Sequence, residues 1–103
     1  MPLPQRIKSG GFFYKVIADG SNDLVMADKE LQALTNHREL TLSLRAGFPR
    51  MPETLLHEIL HCAAYQSDLQ SDWGEKHEAY VERLGSALYT LFMDNPDLLR
   101  YWL

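Results

Sequence analysis

Residues 54–65 read Thr-Leu-Leu-His-Glu-Ile-Leu-His-Cys-Ala-Ala-Tyr, an apolar stretch with neither glycine nor proline. No other part of the chain restricts the fold as tightly. Pro52 suits the first turn of a helix and Glu53 is placed to meet its positive end, so a helix is predicted to start near Pro52 and run through Tyr65. With so little polar surface, such a helix has to be buried on most sides. Three strongly polar residues nevertheless sit inside it: His57, Glu58 and His61. Burying two imidazoles and a carboxylate without partners is costly, so the fold must satisfy them. At about 100° per residue they fall at roughly 0°, 100° and 40° around the axis, one connected arc.

The i, i+4 spacing puts the His57 and His61 imidazoles one turn apart on one face, where two ring nitrogens can reach a single ion at about 2.0–2.1 Å. Glu58 projects from the edge of that arc, placed to hold a metal-bound water rather than the metal. His-Glu-x-x-His on a helix is the zinc-metallopeptidase signature for this geometric reason. The chain has 4 histidines in 103 residues, and chance would produce the pattern in only about one such chain in a hundred. The competing reading, two ordinary histidines satisfied by backbone or carboxylate groups, is therefore the weaker one. Cys62 points away from both histidines on the helical wheel and reads as a small buried residue.

A catalytic zinc needs a third protein ligand, with the fourth position left to water. The second half of the chain offers His77, Glu78 and Glu82. A polar connector over 67–74 is short enough to make the following helix an antiparallel neighbour. That helix is expected to begin near 72–75, where Asp72-x-x-Glu75 has capping-box spacing, and to end at Met93 before Asn95-Pro96. Val81, Leu84, Leu88, Leu91 and Phe92 mark its expected buried stripe, with His77 inside the stripe, Glu78 at its shoulder and Glu82 further out. Glu78 stands roughly level with His61, and Glu82 with His57. Spacing alone does not choose among the three.

The first half reads as strands. Residues 12–17, Phe-Phe-Tyr-Lys-Val-Ile, are aromatic and β-branched, follow Gly10-Gly11 and stop at the turn formers Asp19-Gly20-Ser21-Asn22-Asp23. Leu40, Leu42 and Leu44 alternate with Thr41, Ser43 and Arg45, the pattern of a half-buried strand over 40–45. Between these, 28–34 is the best candidate for a short helix, and after Pro96 a last short turn covers 97–103. Composition is that of an ordinary globular domain, 46% hydrophobic and 23% charged, and one domain over residues 1–103 is expected. A net charge of −4 without a basic stripe gives no support to nucleic-acid binding. One cysteine permits no internal disulfide. No apolar run is long enough for a membrane span and none resembles a signal peptide, so no membrane association and a cytoplasmic location are expected.

Residues 55–61, Leu-Leu-His-Glu-Ile-Leu-His, and 78–85, Glu-Ala-Tyr-Val-Glu-Arg-Leu-Gly, resemble the ImmA/IrrE-type and related small phage-encoded metallopeptidases. The resemblance extends over residues 54–96. It implies a gluzincin-like site completed by a glutamate on the helix after His-Glu-x-x-His, here Glu78. The second motif of that family runs Glu-x-x-Ala-Asn-x-Phe-Ala. Val81, Leu84 and Gly85 fall on its apolar or small positions, whereas Glu82 stands where the family has asparagine, which keeps Glu82 as an alternative ligand. The fold implied is α+β, a minimal zincin-like domain with a short antiparallel sheet in the N-terminal half, an active-site helix and a second packed helix. The activity implied is hydrolysis of a protein or peptide substrate, with zinc held by His57, His61 and Glu78 and with Glu58 as general base. Tyr65, Tyr80 and His37 are candidate donors to the oxyanion. By analogy with zincin folds, strand 40–45 is the expected edge along which extended substrate pairs. For the apolar end, 98–103, simple core packing is the first expectation, and folding over the cleft or forming a homodimer contact is the alternative. The alternative function is a non-catalytic, metal-containing phage regulatory protein. Oligomeric state is not set by these residues.

Overall fold

The computed structural model describes residues 3–28, 31–45 and 51–103. They form an α+β fold in which four strands, β1 (Arg6–Ser9), β2 (Phe12–Ile17), β3 (Ala33–Asn36) and β4 (Thr41–Leu44), make one sheet in the order β1-β2-β4-β3. The sheet is mixed, not antiparallel as expected. β1 with β2 and β3 with β4 are antiparallel, but β2 and β4 run parallel. The parallel pairing arises because the chain leaves β2, passes through helix α1 (Asp23–Asp28) and forms β3 at the far edge before β4 returns beside β2.

The β1–β2 hairpin closes on Gly10 and Gly11, with φ of 58° and 88°. Two consecutive left-handed residues are what a tight hairpin turn matching strand twist requires. Gly10 is needed twice over, since a Cβ there would come within 2.6 Å of the Gln66 Cβ. That contact sets the hairpin against the end of helix α2 (Met51–Gln66).

Of the strand expected over 40–45, residues 41–44 form β4, Leu40 being left-handed with φ 57°, and two further features differ from expectation. It is an inner strand, paired on both sides, so the edges belong to β1 and β3. Its polar residue Ser43 is buried too, because Asn22, just before α1, donates its amide to the Ser43 hydroxyl on the face away from α2. The helix expected over 28–34 lies upstream instead, as α1, and Ala33 and Leu34 belong to β3; residues 29–30 are outside the described residues. Ala33 packs into the sheet core, and pairing with Leu44 outweighs its helix preference.

Tyr14, Ala33, Leu42 and Leu44 from one face of the sheet meet Cys62 of α2 to form the core, with Leu3, Ile7, Val16, Ala18, Leu40 and Leu55 packed around it. The burial expected for α2 is thus met chiefly on its sheet side. Helix α4 (His77–Asp94) lies along a second side of α2. Ser86 reaches Glu53, Gly85 faces Leu60 and His57, and Glu78 meets His61, so the two helices run antiparallel as expected. Val81 and Gly85 are the buried residues of α4. Leu84 and Leu91, assigned to the buried stripe from the sequence, are exposed; the buried strip of α4 is narrower than its apolar arc, with only Val81 and Gly85 buried among the described residues. Between α2 and α4 the connector folds into α3 (Leu69–Trp73) and a short 3₁₀ turn (Gly74–Lys76). Asp72 therefore lies inside α3 and does not cap the next helix, which begins at His77; Gly74, with φ 58° and ψ −134°, breaks the chain between them. Helix α5 (Pro96–Trp102) follows Asn95-Pro96 and packs on α4. Among the described residues, no helix is long and apolar enough to cross a membrane.

Candidate metal centre

Because α2 is gripped by the sheet on one side and by α4 on another, the arc carrying His57, Glu58 and His61 faces the seam between these layers. His57 and His61 are one turn apart, and their Nε2 atoms stand 3.1 Å from each other. Glu78, in the first turn of α4, closes the triangle: one carboxylate oxygen lies 3.0 Å from His57 Nε2 and the other 2.8 Å from His61 Nε2. These three residues can hold a metal ion. Of the ligands left open by the spacing, Glu78 is the one brought to the histidines.

The distances fit a cation. Atoms about 2.0–2.1 Å from a tetrahedral centre stand roughly 3.3–3.4 Å apart, only slightly more than the separations here. Hydrogen bonding alone does not account for the same triangle. Each neutral imidazole has one nitrogen bearing hydrogen and one bearing a lone pair. If both Nε2 atoms carry hydrogen, both donate to Glu78 but confront each other at 3.1 Å. If one lacks hydrogen, it faces the Glu78 carboxylate with no proton between them. An ion at the centre satisfies all three at once. Burial pushes the His61 pKa below the usual imidazole range despite the opposing pull of Glu78. The lowering favours the neutral ring, the form that binds metal.

The centre is open on one side. Glu78 is 62% exposed whereas the His61 side chain is 11% exposed. His57, Glu58 and Glu78 line a cleft of about 500 Å³ whose other walls include Gln32 and Ala33 from the β3 side and Glu82 and Gly85 from α4. Glu58 is buried, and its carboxylate accepts a hydrogen bond from the Thr35 hydroxyl on β3. Burial raises the Glu58 pKa above the ordinary carboxylate range; the Thr35 hydrogen bond and His57 oppose the rise, and Glu78 adds to it.

The remaining sequence candidates fall in three places. Glu82 lines the cleft but lies outside the group of converging ligand atoms. His77 packs edge-on to His61, with ring centroids 5.9 Å apart, and its Nδ1–H is held by the Gly74 carbonyl at 2.9 Å. His37 accepts the Tyr14 hydroxyl hydrogen bond at Nδ1 and stacks flat on Tyr65 with centroids 4.0 Å apart. Tyr80 instead packs against Trp73. Cys62 is fully buried in the core and its thiol is pushed up to about 12 by that burial, in keeping with a packing role. Residues 98–103 do not fold over the cleft: α5 sits on α4, and the lining residues come from other segments.

Thr35 and Gln32 were not singled out from the sequence. Thr35 is separated from Glu58 by 23 positions, and the β3 segment has neither strong alternation nor a motif. Comparison with protein-family models, with curated proteins and with solved structures returned no match.

Proposed function

We propose that this chain is a zinc-dependent metallopeptidase that cleaves extended peptide at the His57–His61–Glu78 centre. The observation that carries this reading is the convergence of three ligand atoms beside a buried glutamate in an open cleft. The donor set of two imidazoles and one carboxylate is that of known catalytic zinc sites. The reading also draws on the resemblance of residues 54–96 to zincin-like, gluzincin-type metallopeptidases. A bound zinc would polarise the scissile carbonyl and acidify an attacking water.

The chain's own residues supply the rest. Glu58 takes the proton from the water and delivers it to the leaving amine. Its raised pKa brings it nearer the neutral range in which a group can both accept and return a proton. His57 and His61 orient the centre from one rigid helix, and Glu78 contributes the negative charge. The substrate lies along β3, which takes the place expected for strand 40–45, because β3 is an edge strand and Gln32 and Ala33 line the cleft. Strand addition there places a peptide backbone between the sheet and α4.

Replacing Glu58 by Gln tests the reading directly. Zinc binding is expected to persist while cleavage of an unstructured peptide pool falls by about 10²–10⁴-fold, the range for loss of a general base. Undiminished cleavage by E58Q would remove Glu58 as the base. A zinc-loaded wild-type chain that cleaves no peptide would remove the peptidase assignment.

A further inference from the structure

Thr35 belongs to two settings at once. Its hydroxyl donates to Glu58, the buried carboxylate of the cleft. Its backbone direction follows from the register of β3 on β4. The pairs are Ala33 with Leu44, Leu34 with Ser43, Thr35 with Leu42 and Asn36 with Thr41. Arg45 N–H donates to the Gln32 carbonyl at 2.9 Å, which makes Gln32 and Arg45 a hydrogen-bonded pair. In an antiparallel ladder such pairs alternate. Leu34 and Asn36 therefore turn their backbone groups toward β4, whereas Ala33 and Thr35 turn theirs outward. The parallel side of β4 agrees: Lys15 N–H donates to the Leu40 carbonyl, so Leu40 and Leu42 face β2 while Thr41 and Ser43 face β3. Among the described residues no strand pairs with the outer side of β3.

We propose that Thr35 is a positioning residue that couples peptide binding to Glu58, with its backbone N–H and C=O pairing with substrate while its side chain orients the carboxylate. The inference rests on the peptidase reading above and adds a residue and a coupling to it. A peptide added to the outer edge of β3 straightens and fixes Thr35. The same residue then holds one oxygen of Glu58, leaving the other for the attacking water. Binding energy gained along the strand is thereby used at the reacting group, away from the scissile bond itself.

The test compares wild type with Thr35→Val and Thr35→Ser on fluorogenic peptides of four and eight residues, with zinc affinity measured in parallel. Valine keeps the shape and the strand preference, and serine keeps the hydroxyl. T35V is expected to lower kcat by about 10- to 100-fold, the loss of one hydrogen bond to a charged group, with zinc affinity unchanged. T35S is expected to stay within a few-fold of wild type. Lengthening the peptide is expected to raise kcat in wild type and T35S, but in T35V to lower only KM. Equal kcat in T35V and wild type overturns the role, as does a T35S variant as impaired as T35V. A length effect on kcat that survives in T35V also overturns it. Each of those outcomes leaves wild-type cleavage, and so the peptidase reading, intact. A wild-type chain that binds zinc and cleaves neither peptide overturns both.

Discussion

Two polar clusters border α2, and each brings histidine together with residues from distant parts of the chain. In the first, Gln66 donates to the Tyr14 hydroxyl at 2.9 Å, Tyr14 donates to His37 Nδ1 at 3.0 Å, and His37 lies flat on Tyr65. Each hydrogen in that chain has one acceptor. In the second, His57, His61 and Glu78 direct three ligand atoms at one point, and no placement of hydrogens on two neutral imidazoles joins all three pairs. The first cluster is joined by hydrogen bonds within the protein, whereas the second is a group that can hold a metal ion. A histidine within a polar cluster is therefore a poor marker of a metal site, and the balance of donors against acceptors is the better one.

On the proposed function, loss of cleavage in E58Q is the largest effect expected anywhere in the molecule, and it concerns Glu58, beside the second cluster. Next in size is the response to zinc. At a free concentration 100-fold above its dissociation constant, zinc should stabilise the wild-type fold by about 2.7 kcal/mol, read as a rise in Tm. Glu78→Ala should abolish most of that rise while changing the zinc-free stability by less than about 1 kcal/mol, since Glu78 is exposed and lies in the first turn of α4. Glu82→Ala should leave the rise in place; a comparable loss there would make Glu82 the ligand.

Tyr14→Phe probes the other cluster and should behave in the opposite way. It removes a fully buried hydroxyl that joins Gln66 to His37, so zinc-free stability should drop by about 1 kcal/mol in denaturant titrations, with zinc affinity unchanged. A weaker zinc response in Y14F would show that the clusters are coupled.

The smallest effect is in pH. Burial, reinforced by His77, lowers the His37 pKa below its ordinary 6.5. Below 6.5 the unfolded chain therefore binds a proton before the folded chain does, and the fold loses stability as pH falls through and beneath that value. His61 acts in the same sense and Glu58 in the opposite one, over a window opening upward from 4.5. Zinc-free His37→Asn should show a shallower decline than wild type between pH 6.5 and the folded-state value. An identical decline would remove His37 from the dependence.

Much of the α2 side of this molecule was legible from the sequence because the information is local. An apolar helix fixes its own period, and spacing within it fixes which side chains share a face, so the proximity of His57 and His61 and the burial of Cys62 follow from the string of letters. The strand over β2, most of β4 and the helix stop at Asn95-Pro96 are similarly local. The choice of Glu78 over His77 or Glu82 came from family resemblance, and the fold, by where α3 and Gly74 start α4, brings Glu78 beside the two histidines. That β4 is inner and β3 the edge, that the sheet is mixed, and that Thr35 meets Glu58 required the tertiary structure. Strand order and cross-chain contacts depend on which pairing buries the most surface across the whole chain. No short window of residues contains that comparison.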